Sequence, residues 1–121
     1  MHKISVKGSF SSAHFLRNYK GKCEKTHGHN WGVEVVAESP RLQNGMVMDF
    51  GDLKKLLESA LSRLDHSFLN ESGYFKKINP TSENIAEYIF IKIAKKMPAG
   101  VKLKEVRVSE TEKNIASYSP E

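Results

Sequence analysis

Two segments of the chain alternate with a period of two, and this alternation constrains the fold more than any other feature of the sequence. In the first segment the even positions carry Ile4, Val6, Gly8, Phe10, Ser12, His14 and Leu16. In the second segment one face carries His27, His29, Trp31, Val33, Val35 and Ala37. Because successive side chains of a strand point to opposite faces, both segments are predicted to be strands. The basic, glycine-containing connection between them predicts an antiparallel hairpin.

After a turn at residues 41–45 the apolar period becomes helical. One stripe comprises Leu53, Leu56, Leu57, Ala60, Leu61 and Leu64. It predicts a first helix with Asp49 or Asp52 as its N-cap. A second helix is expected after Asn79-Pro80, with Thr81 or Ser82 as its N-cap. Its apolar face comprises Ile85, Ala86, Ile89, Phe90, Ile93, Ala94 and Met97.

The chain returns to a strand pattern after the second helix. We expect one strand from Leu103 to Thr111 and a short final strand from Asn114 to Tyr118, whereas Ser67 to Asn79 is interpreted as a loop between the helices. The order predicts one α+β domain spanning residues 1–121, a four-stranded antiparallel sheet with two helices on one face. So small a sheet exposes its edges, so we expect a homo-oligomer that pairs those edges between subunits into a barrel.

Composition restricts the partners and the compartment. Nineteen Lys and Arg against fourteen Asp and Glu give a net charge of +5, which favours anionic partners. Aromatic residues make up only 9% and show no stacking pattern among the basic positions, so we expect no nucleic-acid partner. The single cysteine excludes an internal disulfide, and no signal peptide or membrane-spanning run is visible. We therefore expect a cytoplasmic protein without a membrane partner.

Three of the five histidines suggest a metal site. His27 and His29 lie two residues apart in a predicted strand, so both rings point to the same side. The hairpin places His14 near them, and three imidazoles with one open position are typical of catalytic zinc. The spacing alone is equally compatible with a half-buried strand histidine beside a solvated turn.

Cys23 precedes these two histidines in the segment CEKTHGHN, residues 23–30. It could be a fourth zinc ligand that closes the site, a thiolate acting as a base beside the metal, or a small buried residue. The nearby cations Lys20, Lys22 and Lys25 favour the thiolate. The sequence alone does not decide whether Cys23 is a zinc ligand or a base.

Two acidic positions add to the list of candidates. Asp65 precedes His66 at the predicted end of the first helix, where the two could form a proton-transfer pair or an ordinary helix terminus. Glu110 follows Val106 and Val108 on the apolar parity of a strand. Such a carboxylate needs a partner, either a guanidine-like ligand or a neighbouring Lys or Arg.

Taken together, the segments resemble the 6-pyruvoyl-tetrahydropterin synthase and 6-carboxy-tetrahydropterin synthase family. The matching pieces are FSSAH (10–14), CEKTHGHN (23–30), MDF (48–50), LDH (64–66), PTSEN (80–84) and VSET (108–111). The resemblance implies a ββααββ tunnelling fold, assembled as a hexamer from two trimers with active sites between subunits. It also implies a zinc ion held by His14, His27 and His29, with Cys23 as the base and Asp65 and His66 as the proton relay. Glu110 would anchor the pterin, helped by Thr81, Ser82 and Glu83.

The resemblance also implies a substrate and a reaction. The substrate would be the pterin triphosphate 7,8-dihydroneopterin triphosphate, converted to 6-carboxy-tetrahydropterin, acetaldehyde and triphosphate for queuosine synthesis. The compact chain favours this branch over the pyruvoyl enzymes. Glu24 directly after Cys23 keeps side-chain cleavage for folate synthesis open. The candidate cations for the triphosphate are Arg17, Lys20, Lys22 and Lys25.

Overall fold

The computed structural model describes residues 1–20 and 25–121. Two strands, β1 (His2–His14) and β2 (His27–Ser39), are followed by helix α1 (Phe50–Ser62). A two-residue strand β3 (Ser67–Phe68) leads into a 3-10 turn (Leu69–Glu71) and helix α2 (Ser82–Ala94). Strands β4 (Lys102–Ser109) and β5 (Ile115–Tyr118) complete the order.

The strands form one sheet in the order β3-β1-β2-β4-β5. The predicted hairpin is present: β1 and β2 pair antiparallel along their whole length, from His2 opposite Ser39 to His14 opposite His27. β4 pairs antiparallel with β2, and β5 with β4. Because β1 and β2 are 13 residues each, the hairpin separates the two ends of the sheet by roughly 40 Å.

The α+β architecture with two helices packed on one face of the sheet is confirmed, with one correction. The sheet has five strands instead of four, because β3 pairs with β1 in parallel, Ser12 opposite Ser67 and Ala13 opposite Phe68. These two residues fall in the segment predicted to be a loop. Two residues are too few to show an alternating pattern, so the pairing arises from the neighbouring strand edge and not from local sequence.

The core lies between the sheet and the helices. Trp31, Val33, Val35 and Ala37 of β2 are buried, as the alternation predicts, and they share the core with Leu53, Leu57, Ile85 and Ile89 of the helices. Gly8 allows α1 to approach β1 closely: a Cβ atom there would lie 3.1 Å from methyl groups of both Leu57 and Leu61. The opposite sheet face is polar, with Lys3, Lys7 and Arg107 exposed.

The helix starts resolve the two N-cap alternatives. Asp49 caps α1, its carboxylate accepting a hydrogen bond of 2.6 Å from the Gly51 N–H. Thr81 caps α2, its hydroxyl oxygen accepting from the Asn84 N–H at 3.1 Å. Among the described residues neither helix is long and apolar enough to span a bilayer.

The packing of α1 on the sheet gives a first prediction. Replacing the fully buried Leu57 with alanine is expected to lower the free energy of unfolding by about 2–5 kcal/mol, because it removes apolar contacts and leaves a cavity. Chemical denaturation measures the change. The matched control is Leu42→Ala, since Leu42 is 41% exposed and its truncation is expected to cost less than about 1 kcal/mol. Equal losses for the two variants would contradict this packing of α1.

Candidate metal centre

The hairpin register brings three histidines together at one end of the sheet. His14 lies directly opposite His27, and Ser12, two residues earlier in β1, lies opposite His29. All three rings point to the face covered by the helices. One nitrogen of each ring lies within 4.8 Å of one nitrogen of each of the others. The three histidines could therefore hold a metal ion.

His14 is the buried member of the cluster, with a side chain only 1% exposed. Its Nδ1 lies 2.7 Å from the Pro80 carbonyl oxygen. A carbonyl oxygen can only accept, so Nδ1 carries the hydrogen and Nε2 carries the lone pair. Burial lowers the pKa of His14 below its usual value, and the nearby His27 lowers it further. The ring is therefore neutral at neutral pH, which is the form that binds metals.

His27 presents its ring in the same tautomer. Its Nδ1 lies 3.1 Å from the Lys25 carbonyl oxygen and must donate to it. The Nε2 atoms of His14 and His27 are 3.2 Å apart. When both rings are in the Nδ1–H tautomer each Nε2 carries a lone pair, and such lone pairs repel each other unless a cation lies between them.

His29 supplies the third nitrogen. Its Nε2 is buried and makes no hydrogen bond within the described residues. A buried polar atom without a partner costs free energy, and a metal ion would remove that cost. Three imidazole nitrogens match the ligands of a metal that keeps an open position, and the two backbone carbonyls match the acceptors that usually orient such ligands. The residues present therefore fit the group.

The side chains beneath and beside the cluster define its environment. Trp31 is fully buried beneath it, with its ring centroid 4.8 Å from that of His14 and 5.2 Å from that of His29. Glu110 lies at the exposed side, 30% exposed, with one carboxylate oxygen 3.6 Å from His29 Nε2 and the other 3.8 Å from His14 Nε2. Among the described residues it forms no ion pair with Lys or Arg, the alternative partners considered above.

Asp65 and His66 lie at the outer edge of β1. Asp65 Oδ1 accepts from the Ser11 N–H at 2.8 Å, and the His66 N–H donates to the Ser11 carbonyl at 2.6 Å. His66 Nε2 and Asp65 Oδ2 lie 3.5 Å apart, which is an ion-pair distance and is longer than the hydrogen bond through which a proton passes directly. The His66 side chain is 83% exposed, and no contact within the described residues joins the pair to the histidine cluster.

The His66 backbone adopts a left-handed conformation, with φ of 52°. Residues with a Cβ atom are uncommon in this region, and histidine, asparagine and aspartate adopt it more often than the others. The backbone hydrogen bond from His66 to the Ser11 carbonyl holds this conformation, while the side chain itself is exposed. Such a conformation is common where a side chain has a functional role.

The other predicted residues are placed as follows. Thr81 uses its hydroxyl as the α2 N-cap, Ser82 is half-buried and Glu83 is exposed. Their segment adjoins the cluster through Pro80, whose carbonyl accepts from His14. Cys23, Glu24 and Lys22 lie outside the described residues.

Two of the cations proposed for the triphosphate have other contacts. Arg17 donates from its guanidinium to the Ile78 and Asn70 carbonyls, at 3.2 Å each, so these contacts compete with any phosphate. The Lys20 Nζ lies 5.3 Å from the centroid of the half-exposed Tyr19 ring, a cation–π contact. Lys25 contributes its backbone carbonyl to His27.

Two features of the site were not predicted from the sequence. The Pro80 carbonyl orients His14, but a backbone acceptor leaves no mark in a residue pattern. Trp31 lies beneath the cluster, and only its position in the alternation of His27 and His29 could have indicated this.

A cavity of about 550 Å³ lies at the other end of the sheet, lined by Met46, Met48, Leu56 and Val101. It contains no histidine, so the metal-binding chemistry lies elsewhere.

A sheet carrying two helices on one face, with three converging imidazoles where β1 ends and β2 begins, defines a tunnelling-fold protein with a three-histidine centre. The family model of 6-pyruvoyl tetrahydropterin synthase matches residues 3–121. The chain belongs to this family and is an enzyme of the tetrahydropterin synthase type, a lyase.

Relatives within the family carry different names. A Synechocystis protein named 6-carboxy-5,6,7,8-tetrahydropterin synthase is 42% identical over 117 residues, covering 91% of this chain and 87% of its own length. A Pyrococcus furiosus protein named dihydroneopterin monophosphate aldolase is 39% identical over 108 residues, covering 89% of each. The solved Caenorhabditis elegans 6-pyruvoyl tetrahydropterin synthase superposes with a TM-score of 0.83 at 30% identity, covering 99% of this chain and 96% of its own.

The geometry of the cluster predicts that His29→Gln weakens zinc binding at least tenfold, because it removes one of three ligands. Competition with a chromogenic chelator measures the affinity, and the only tryptophan, Trp31, is expected to report zinc addition by a saturable fluorescence change. His2→Gln is the matched control, since His2 is exposed at the far end of β1. Equal zinc affinity in both variants would remove His29 from the site.

Proposed function

We propose that this enzyme converts 7,8-dihydroneopterin triphosphate and water to 6-carboxy-5,6,7,8-tetrahydropterin, acetaldehyde and triphosphate, with zinc as its metal. The observation that carries the proposal is the convergence of three histidine nitrogens beside a carboxylate, in a chain that belongs to the tetrahydropterin synthase family. The 6-carboxy branch, which serves queuosine synthesis, is supported by the Synechocystis relative at 42% identity.

His14, His27 and His29 would hold the zinc through the three converging ring nitrogens. When bound, zinc supplies a Lewis acid that makes the hydroxyl groups of the substrate side chain more acidic. The Pro80 carbonyl accepts a hydrogen bond from His14 Nδ1, and the Lys25 carbonyl accepts one from His27 Nδ1. The Nε2 atom of each ring is therefore the one that would bind the metal. Trp31 is fully buried against the His14 and His29 rings and would exclude water from that side of the metal position.

Glu110 is proposed to bind the pyrimidine edge of the pterin. Its carboxylate is partly exposed and lies beside the cluster, within 3.6 Å of His29 Nε2. A carboxylate accepts two parallel hydrogen bonds from a guanidine-like N–H array. Thr81, Ser82 and Glu83 would assist at the N-terminus of α2.

Proton transfer is proposed to involve Cys23 as the base and the Asp65–His66 pair as the relay. In one subunit the relay lies on the β1 edge, and no hydrogen bond or ion pair within the described residues joins it to the cluster of that same chain. We therefore propose that the relay serves the metal centre of a neighbouring subunit, in a homo-hexamer built from two trimers. In this arrangement the exposed His66, whose backbone is left-handed, would lie in the active site of the neighbouring subunit.

We also propose that the enzyme is cytoplasmic.

A second candidate function is cleavage of the dihydroneopterin side chain to 6-hydroxymethyl-dihydropterin. The Pyrococcus furiosus relative, 39% identical, is named an aldolase for a dihydroneopterin phosphate. Glu24 beside Cys23 would supply an alternative base for it. A third outcome, 6-pyruvoyl-tetrahydropterin, is supported by the name of the Caenorhabditis elegans structure.

The three reactions are distinguished by their products. Incubation of the zinc-loaded protein with 7,8-dihydroneopterin triphosphate is expected to yield 6-carboxy-tetrahydropterin with an equal amount of acetaldehyde. Mass spectrometry identifies the pterin and a coupled alcohol dehydrogenase assay measures the aldehyde. Formation of only 6-pyruvoyl-tetrahydropterin or 6-hydroxymethyl-dihydropterin would contradict the branch assignment, and the protein stripped of zinc serves as the control.

Replacing Cys23 with alanine tests whether this residue is a catalytic base or a fourth zinc ligand. If Cys23 is the base, the variant keeps its zinc and loses turnover by roughly 100-fold or more, since a general base contributes about that much. Metal analysis and the product assay are read on the same sample. Loss of zinc together with turnover would instead make Cys23 a fourth ligand, as in a non-catalytic Cys/His zinc protein.

A further inference from the structure

The outer edge of β1 is hydrogen-bonded, residue after residue, to the segment that connects the two helices. Asp65 and His66 pair with the N–H and the carbonyl of Ser11. Strand β3 then pairs with Ser12 and Ala13. The pairing thus reaches the residue directly before His14.

Beyond His14 the pairing continues through side-chain amides. Asn70 accepts from the Phe15 N–H at 2.9 Å and donates from Nδ2 to the Phe15 carbonyl at 3.0 Å. Asn79 does the same for Arg17, at 2.8 Å and 3.3 Å. Each amide supplies one acceptor and one donor, as a peptide group of a neighbouring strand would. We call Asn70 and Asn79 the amide clamp.

The clamp is connected to both sides of His14. On one side it fixes Phe15, the next residue in the chain. On the other side Asn79 precedes Pro80, and the Asn79 carbonyl accepts from the Thr81 N–H and the Asn84 Nδ2, each at 2.8 Å. This holds Pro80 at the start of α2, where its carbonyl accepts from His14 Nδ1 at 2.7 Å.

Arg17 closes the same network. Its backbone pairs with the Asn79 side chain, and its guanidinium donates to the carbonyls of Ile78 and Asn70. Arg17 therefore binds both members of the clamp. Asn70 is only 6% exposed, so its side-chain bonds to the Phe15 backbone are largely shielded from water. The chain therefore leaves β1 along a fixed direction before it enters the connection that contains Cys23.

We propose that Asn70 and Asn79 are positioning residues of the metal centre. By fixing Phe15 and Pro80 they keep the His14 Nδ1 hydrogen on the Pro80 carbonyl, and this leaves the Nε2 lone pair for the metal. The inference rests on the proposed function only in that the histidine cluster binds a metal. It does not depend on which pterin is the substrate.

The role requires an amide. Aspartate has the shape of asparagine but no N–H, so at position 70 it would set a second oxygen against the Phe15 carbonyl and bury a charge. The expected consequence is displacement of the chain beside His14 and weaker orientation of its ring. Loss of a group that orients a metal ligand typically weakens metal binding by about 10–100-fold.

Two variants test the proposal, Asn70→Asp and Asn79→Ala. The second removes the amide at a half-buried position and keeps the test valid if the first does not fold. Each is expected to bind zinc about 10–100-fold more weakly in chelator competition. In the metal-free protein at pH 8, nitrogen-15 NMR of the histidine rings is expected to show His14 losing part of its Nδ1–H tautomer.

Ile93→Val is the control for simple loss of stability, because Ile93 is buried near the C-terminal end of α2, at the opposite end of the helix from Pro80. It is expected to lower the melting temperature with unchanged zinc affinity and an unchanged His14 tautomer. Folded clamp variants with wild-type zinc affinity and tautomer would overturn the proposal. If the wild type binds zinc but does not turn over a pterin, the proposed reaction fails and the clamp is still tested by these two measurements.

Discussion

The structure depends above all on the pairing of β1 with β2. Thirteen consecutive pairs, from His2 with Ser39 to His14 with His27, determine which side chains face the helices. A slip of one residue would exchange the two faces of a strand, exposing Trp31 and moving the histidines to the polar side. The same register therefore builds the core and assembles the metal centre, so neither can change without the other.

The histidines require a second set of interactions that the hairpin does not supply. Strand pairing brings the rings together, but their tautomers depend on acceptors from elsewhere in the chain, the carbonyls of Pro80 and Lys25. Pro80 is 66 residues from His14, so the bond forms only when α2 packs against the sheet. The metal centre is thus linked to the helix layer as well as to the strands.

The candidate site is divided between two regions of one subunit. The histidines and Glu110 lie on the helix-covered face, while Asp65 and His66 lie along the β1 edge. The part of the β1 edge that precedes Ser11 pairs with no strand within the described residues, and it lies on the same side of the sheet as the exposed relay. Our proposal of a site shared between subunits gives one physical reason for both features, because pairing that edge with another chain would bury the strand and deliver the relay.

Much of the fold follows from the sequence, and the reason is periodicity. The alternation in β1 and β2 and the leucine stripe of α1 depend on local geometry, which repeats every two or every 3.6 residues. Residue type narrowed each helix N-cap to two candidates, and the structure selected Asp49 and Thr81. The two-residue β3 was missed because so short a strand has no period of its own. Its pairing is determined by the edge of β1.

The sequence by itself determined the residue types of the site and the face on which each would lie, since parity along a strand is a local property. It identified His14, His27, His29 and Glu110 as candidates, and the family to which the chain belongs. Only the tertiary structure decided which nitrogen of each ring is presented, that Trp31 lies beneath the cluster, and that Asn70 and Asn79 pair with the backbone beyond β1. These contacts join residues distant in the chain, and such contacts leave no periodic pattern in the sequence.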